Sequence, residues 1–151
     1  MPKTRQILVT SALPYANAAL HLGHILEYTQ TDIWVRFQKM RGHECYYVCG
    51  DDAHGTAIML SAEKKKISPD AWIADVWQRH QADIVDFHVD MDIFYTTRSE
   101  ENRHLVEGIY QVLHDNQSLL TKDVEQSFDE EAQMFLPDRF IRGTCPKCGA
   151  L

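Results

Sequence analysis

Two rhythms of apolar residues organise this chain. Ile7-Leu8-Val9-Thr10 is a short unbroken apolar run and predicts a buried strand. The stretch from Ser11 to Ala19 carries a proline and no helical register, which predicts a loop. Leu22, Leu26, Thr29, Ile33, Phe37 and Met40 then recur every three or four residues, the mark of an amphipathic helix burying that face. Arg36, Lys39 and Arg41 gather at its end, where positive charge suits the helix dipole, and Gly42 stops it. Glu44 to Cys49 reads as a second strand, leaving through Gly50-Asp51-Asp52.

Strand, loop, helix and strand over residues 7–50 make a βαβ unit, which implies a parallel sheet with a right-handed crossover. A helix is expected over Thr56 to Lys66. A second, begun by Ser68-Pro69, should bury Trp72, Ile73, Val76, Trp77, Ile84 and Phe87. Ile93 to Thr96 predicts a third strand. Ser99-Glu100-Glu101-Asn102 predicts a capped helix start, with Leu105, Val106, Ile109, Tyr110 and Leu113 as its buried face. Past Asn116 the pattern shifts to short β-like pieces at residues 118–124, 133–136 and 140–143, running into Cys145-Pro146-Lys147-Cys148. The expected fold class is α/β. Residues 1–116 carry the parallel α/β pattern, and residues 117–151 form a separate β-rich stretch that runs into the Cys145–Cys148 pair.

Composition narrows the function. At 44% hydrophobic and 25% charged, the 151-residue chain has the balance of a globular domain. Its 15 Lys and Arg against 22 Asp and Glu give a net charge of −7, which argues against nucleic-acid binding through a broad basic surface but leaves room for a nucleotide in a pocket. There is no apolar run long enough to span a membrane and no signal-peptide pattern at the start, so the expected compartment is the cytoplasm. Cys45 and Cys49 share one face of a strand about 13 Å apart, beyond disulfide reach, and read as buried thiols.

Candidate chemistry sits where strands end, since parallel α/β sheets bind ligands beyond the carboxyl ends of their strands. His21-Leu22-Gly23-His24 opens the long helix. A helix N-terminus offers free N–H groups to phosphate, and two imidazoles three residues apart share one turn, where both can face that anion. Gly23 lets a flat group approach the backbone. Surface histidines and a zinc-binding His-x-x-His are the competing readings, the latter without a third ligand at a convincing spacing. Asp51 is as well explained by a structural hydrogen bond as by a ligand role. Cys145 and Cys148 have the spacing of a zinc knuckle; a redox Cys-x-x-Cys competes but lacks a following helix.

Taken in order, Ala12-Leu13-Pro14-Tyr15-Ala16-Asn17, His21-Leu22-Gly23-His24, Arg41-Gly42-His43-Glu44, Asp51-Asp52-Ala53-His54-Gly55-Thr56, Ser99-Glu100-Glu101-Asn102, Met134 to Phe140 and Gly143 to Cys148 resemble the N-terminal catalytic region of the bacterial methionyl-tRNA synthetases, class I enzymes with a Rossmann-like sheet. His21-Leu22-Gly23-His24 corresponds to their His-Ile-Gly-His signature, with Leu in place of Ile. The resemblance implies ATP-dependent activation of methionine to methionyl-adenylate and transfer to initiator and elongator tRNA(Met), with Mg2+ accompanying ATP. It implies catalytic roles for His21 and His24 on the phosphates, and an ATP site formed by Tyr15, Ala16, Asn17, His21, Gly23 and His24. It implies a methionine site of Ala12, Leu13, Tyr15 and Asp52, the last answering the substrate ammonium. It implies that residues 1–116 are the first half of a doubly wound parallel sheet and that residues 117–151 begin a small β-rich insertion, in which Cys145 and Cys148 are half of a zinc knuckle whose second Cys pair is absent from the sequence.

The family's Lys-Met-Ser-Lys-Ser loop is also absent, so the expectation is an N-terminal piece of a longer enzyme, itself inactive or nearly so. Two alternatives stand beside it: another class I synthetase or nucleotidyltransferase, and a non-catalytic half-fold that serves as a binding module.

Overall fold

The structure, a computed structural model, describes residues 3–131, 133–136, 143–144 and 147–149. Strand β1 (Gln6–Thr10), helix α1 (Leu22–Met40) and strand β2 (Glu44–Asp51) form the expected βαβ unit. Helices α2 (Thr56–Lys65) and α3 (Pro69–Asp86) lead to β3 (Ile93–Thr96), and α4 (Glu100–Asp115) follows. The three strands are parallel in the order β1-β2-β3, with Leu8 opposite Tyr46 and Val48 opposite Ile93. Successive crossovers that advance in one direction with one hand place their helices on one face of the sheet. Accordingly Tyr28 and Val35 of α1 and Ile84 of α3 pack together with Cys45 and Tyr47 of β2. A second cluster, Ala16, Ala53, Ile58, Ala62, Trp72, Ile73 and Val76, gathers the loop after β1 with α2 and α3.

The residues form two compact units, 1–109 and 110–151. In the second, Phe128–Asp129 (β4) pairs antiparallel with Met134–Phe135 (β5), inside the β-like piece expected at 133–136. The piece expected at 118–124 is irregular instead, and Phe140 to Arg142 lie outside the described residues. No helix among the described residues is long and apolar enough to cross a membrane.

Three burial expectations are overturned. On α1 the buried positions are Ile25, Tyr28, Asp32, Val35 and Gln38, whereas Leu22, Leu26, Ile33, Phe37 and Met40 are exposed, Met40 by 86%. Asp32 rides the sheet-facing stripe because its carboxylate finds partners. Asp32 Oδ2 accepts from Arg36 at 2.7 Å, and its Oδ1 accepts from the Asp90 N–H at 3.2 Å. Apolar spacing therefore marked the stripe facing away from the sheet. On α4 no residue is buried, so Leu105, Val106, Ile109, Tyr110 and Leu113 form an amphipathic face without cover among the described residues. Phe87, expected in the core, is exposed at the C-terminal cap of α3. The sheet face opposite α1 and α3 is likewise open: Leu8, Tyr46, Ile93 and Tyr95 project from it, each about half exposed or more. Parallel sheets are covered on both faces.

Candidate functional site

The loop from Ser11 to Leu20 lies along the carboxyl ends of β1 and β2, held by backbone pairing. Asp52 donates its N–H to the Pro14 carbonyl and accepts from the Ala16 N–H, both at 2.9 Å, so Tyr15 and Asp52 form a parallel bridge just past the regular strands. α1 fixes the loop's start: Glu27 Oε1 accepts from the Ala12 N–H at 2.8 Å, and the Tyr28 hydroxyl donates to the Ala12 carbonyl at 3.2 Å. Helix α3 holds its middle. Trp72 Nε1–H donates to the Ala16 carbonyl at 3.1 Å, and His80 Nε2 lies 2.8 Å from the Ala18 carbonyl.

His21 is the N-cap of α1, with an extended backbone at φ −113° and ψ 169°. Its Nδ1 accepts from the N–H groups of Gly23 at 3.1 Å and His24 at 3.4 Å. In return His24 Nδ1 accepts from the His21 N–H at 3.2 Å, completing a capping box built from two imidazoles. The rings stack with centroids 3.7 Å apart and planes inclined by 17°. Because each Nδ1 is an acceptor, each neutral ring carries its proton on Nε2. Burial is the main cause lowering the His24 pKa, the charges of His21 and His80 add to it, and Glu27 opposes. The outcome at neutral pH is an uncharged His24 with an Nε2–H donor.

Two expectations about this turn change. The first-turn N–H groups of Gly23 and His24 are taken up by His21, so the helix mouth offers imidazole N–H groups in place of those two amides. And the space above Gly23 belongs to His21: a Cβ there would lie 2.9 Å from His21 Cε1 and 3.0 Å from Nδ1. The glycine admits the capping ring.

The other candidates converge on the same rim. Ala12, Leu13 and Asp52 are exposed, and Tyr15 and Asn17 are partly buried. Ala16 is fully buried, so it presents backbone only. The Tyr15 hydroxyl lies over Gly55, where a Cβ would come within 2.5 Å of it; φ of +121° at Gly55 adds a second reason for glycine. Asp52 Oδ1 accepts from the His54 N–H at 3.4 Å. Beneath Leu13 an open hollow of about 350 Å³ is lined by Cys49, Gly50, Tyr95, Thr96 and Leu105.

Asp51 differs from its neighbour. It is fully buried, its Oδ1 2.8 Å from His80 Nδ1, itself fully buried. The structural reading of Asp51 is the one its position fits. Sequence reasoning missed His80, Trp72 and Tyr28 as loop-holding residues. The available signal was His80 itself, a titratable residue on the stripe of Trp72, Ile73, Val76 and Ile84.

Cys148 is an exposed free thiol and Cys145 lies outside the described residues. Among the described residues no three His, Cys, Asp or Glu side chains come together as a metal site. Two thiolates supply half of a tetrahedral zinc set, so the residues present do not by themselves fit the ion.

Residues 7–151 match the model of a family described as tRNA synthetases class I (M). Among solved structures, the chain is similar to LeuRS (agnB2) from Agrobacterium radiobacter, crystallised as a ternary LeuRS–tRNA–LeuAMS complex. The TM-score is 0.78 at 21% sequence identity, over 99% of this chain and 19% of that one. The chain thus spans about a fifth of the length of the structure it matches, and that likeness concerns the fold.

Proposed function

Since the chain belongs to the family of tRNA synthetases class I (M), we propose that it supplies the ATP site and part of the amino-acid site of a methionine–tRNA ligase. The reaction has two steps. A methionine carboxylate oxygen attacks the α-phosphorus of ATP in line, the bond to the bridging oxygen breaks, and pyrophosphate leaves. A hydroxyl of the terminal tRNA ribose then attacks the methionyl carbonyl, and AMP leaves. Neither step needs a nucleophile from the protein. The work is positioning and stabilisation of negative charge.

The observation that carries this reading is the stacked His21–His24 capping box at the end of the parallel sheet. It leaves two Nε2–H donors held by rings that cannot turn without losing their backbone bonds. Fixed donors stabilise charge that grows on phosphate oxygens without reorganising first. Mg2+ would travel on the ATP phosphates and offset the remaining charge. Asp52 is an exposed carboxylate on a backbone zipped to the loop, suited to an ammonium group. Leu13 and Tyr15 supply apolar surface for a thioether. tRNA as the acceptor is in keeping with the Agrobacterium radiobacter ternary complex, which contains tRNA.

Amino-acid-dependent ATP–pyrophosphate exchange by the full-length gene product tests the proposal. Exchange that depends on methionine supports it. Exchange that depends on leucine or another amino acid moves the chain to a different class I specificity. No exchange with any amino acid favours the non-catalytic module.

A further inference from the structure

We propose that His80 is a positioning residue for the phosphate-binding turn: its ring bridges the buried end of β2 and the loop entering α1, and so sets where His21 and His24 stand. This deepens the synthetase reading and rests on it.

His80 lies on α3, outside the rim where the candidate ligands are displayed. Its ring is fully buried, with Nδ1 2.8 Å from Asp51 Oδ1 and Nε2 2.8 Å from the Ala18 carbonyl. A carbonyl and a carboxylate are both acceptors, so the ring satisfies them together by donating from both nitrogens, as an imidazolium paired with Asp51. Burial pulls the His80 pKa down, but the hydrogen bond and charge of Asp51 outweigh it, helped by the Ala18 carbonyl and Asp83; the net direction is up. The cost of burying the pair is visible in Asp51 Oδ2, which is buried with no hydrogen-bond partner among the described residues. A hydrophobic pair of similar volume would pack there without that cost, so stability alone does not explain the arrangement.

Ala18 explains it better. It is three residues before His21, just past Asn17, whose N–H donates to the Tyr15 carbonyl and whose carbonyl accepts from the Ser61 hydroxyl at 3.4 Å. Upstream, Ala16 is already fixed by Asp52 and by Trp72. Downstream, the capping box begins. The bridge through His80 therefore adds a tie at Ala18, between the bonds of Asn17 and the box, on the stretch that sets where the box stands relative to Asp52. His80 also reaches the box electrostatically, since its charge helps hold His24 neutral.

The test uses the full-length gene product. His80→Gln removes one of the two donors and the charge. Single-turnover adenylate formation should fall by about 10–100-fold, the scale of a displacement of about an ångström at a reacting centre. Methionine affinity by equilibrium dialysis should stay near that of the parent, because Asp52 is held separately by Pro14 and Ala16. An unchanged rate in a folded variant overturns the proposal, and so does an equal loss of rate and methionine affinity. Should His80→Gln fail to fold, the ring nitrogens of the 15N-histidine-labelled parent decide: both protonated at neutral pH supports the bridge, and a singly protonated His80 overturns it. That spectrum also separates the two readings, since it stands even if no amino acid supports exchange.

Discussion

The Cε1 atom of His21 lies only 2.9 Å from where a Cβ on Gly23 would have to go. The glycine of the His-Leu-Gly-His turn and the ring that caps the helix are thus one device. Gly23→Ala should push the His21 ring off the Gly23 and His24 N–H groups and release the stack with His24. Loss of an N-cap costs about 1 kcal/mol, partly offset by the better helix propensity of alanine, so the midpoint of denaturant unfolding should move little. Adenylate formation should fall steeply. A variant that keeps its rate would show that the turn's chemistry does not depend on the capped geometry.

His24→Ala in the full-length gene product should lower adenylate formation far more than it weakens methionine binding. In the proposed reaction its Nε2–H meets charge that exists fully only in the transition state, and such interactions appear in the rate, not in ground-state affinity. Removing one preorganised donor of this kind costs on the order of 100–1,000-fold. Single-turnover rates beside methionine affinity measure the split, and equal losses in both would count against a phosphate-facing role.

Much of this was legible in the sequence, and the failures share one cause. β1, α1, β2 and β3 lie where apolar runs and helical spacing place them, and Ser68 and Ser99 accept from the N–H three residues on, as N-caps do. Periodicity also reported that α1 and α4 have apolar stripes. What it does not report is which element a stripe faces. On α1 the stripe of Leu22, Leu26, Ile33, Phe37 and Met40 turns outward, while Asp32 and Gln38 turn toward the sheet. The buried assignment of Asp32 depends on the Asp90 N–H, 58 residues away, a contact no local pattern contains. The site behaved the same way. The rim residues stand in recognisable runs, whereas His80 reaches the loop from another helix and Tyr28 from the next turn of α1, beside His24.

The outward stripe of α1 and the open sheet face predict a physical property of the chain. Contiguous exposed apolar surface of this kind drives association. The 151-residue chain should self-associate at micromolar concentration and bind a hydrophobic dye. Replacing Leu22, Phe37 and Met40 by lysine should reduce both while leaving the helical signal in place, because all three are exposed and none contributes to either core cluster. Sedimentation velocity checks it. Unchanged association in the triple variant would move the sticky surface off α1, to the sheet face of Leu8, Tyr46, Ile93 and Tyr95 or to the uncovered face of α4.

Asp92 ties the start of β3 to β2 and carries a pH signature. Its Oδ2 accepts from the Tyr47 N–H at 2.7 Å, and Lys39 Nζ lies 3.1 Å from both carboxylate oxygens. The Tyr47 N–H is the larger cause and Lys39 the smaller, and together they hold the carboxyl below its ordinary 3.8 against the opposing effect of burial. A carboxyl whose folded pKa is depressed takes up its proton in the unfolded chain first. Its contribution is therefore complete above 3.8 and disappears as pH falls through the folded value. Asp92→Asn should destabilise the fold by about 1 kcal/mol near neutral pH. The gap between parent and variant should close in acid, once the carboxyl is protonated in both folded and unfolded states. Denaturant melts at the two pH values measure that gap directly, and a difference that persists in acid would assign the effect to side-chain geometry in place of charge.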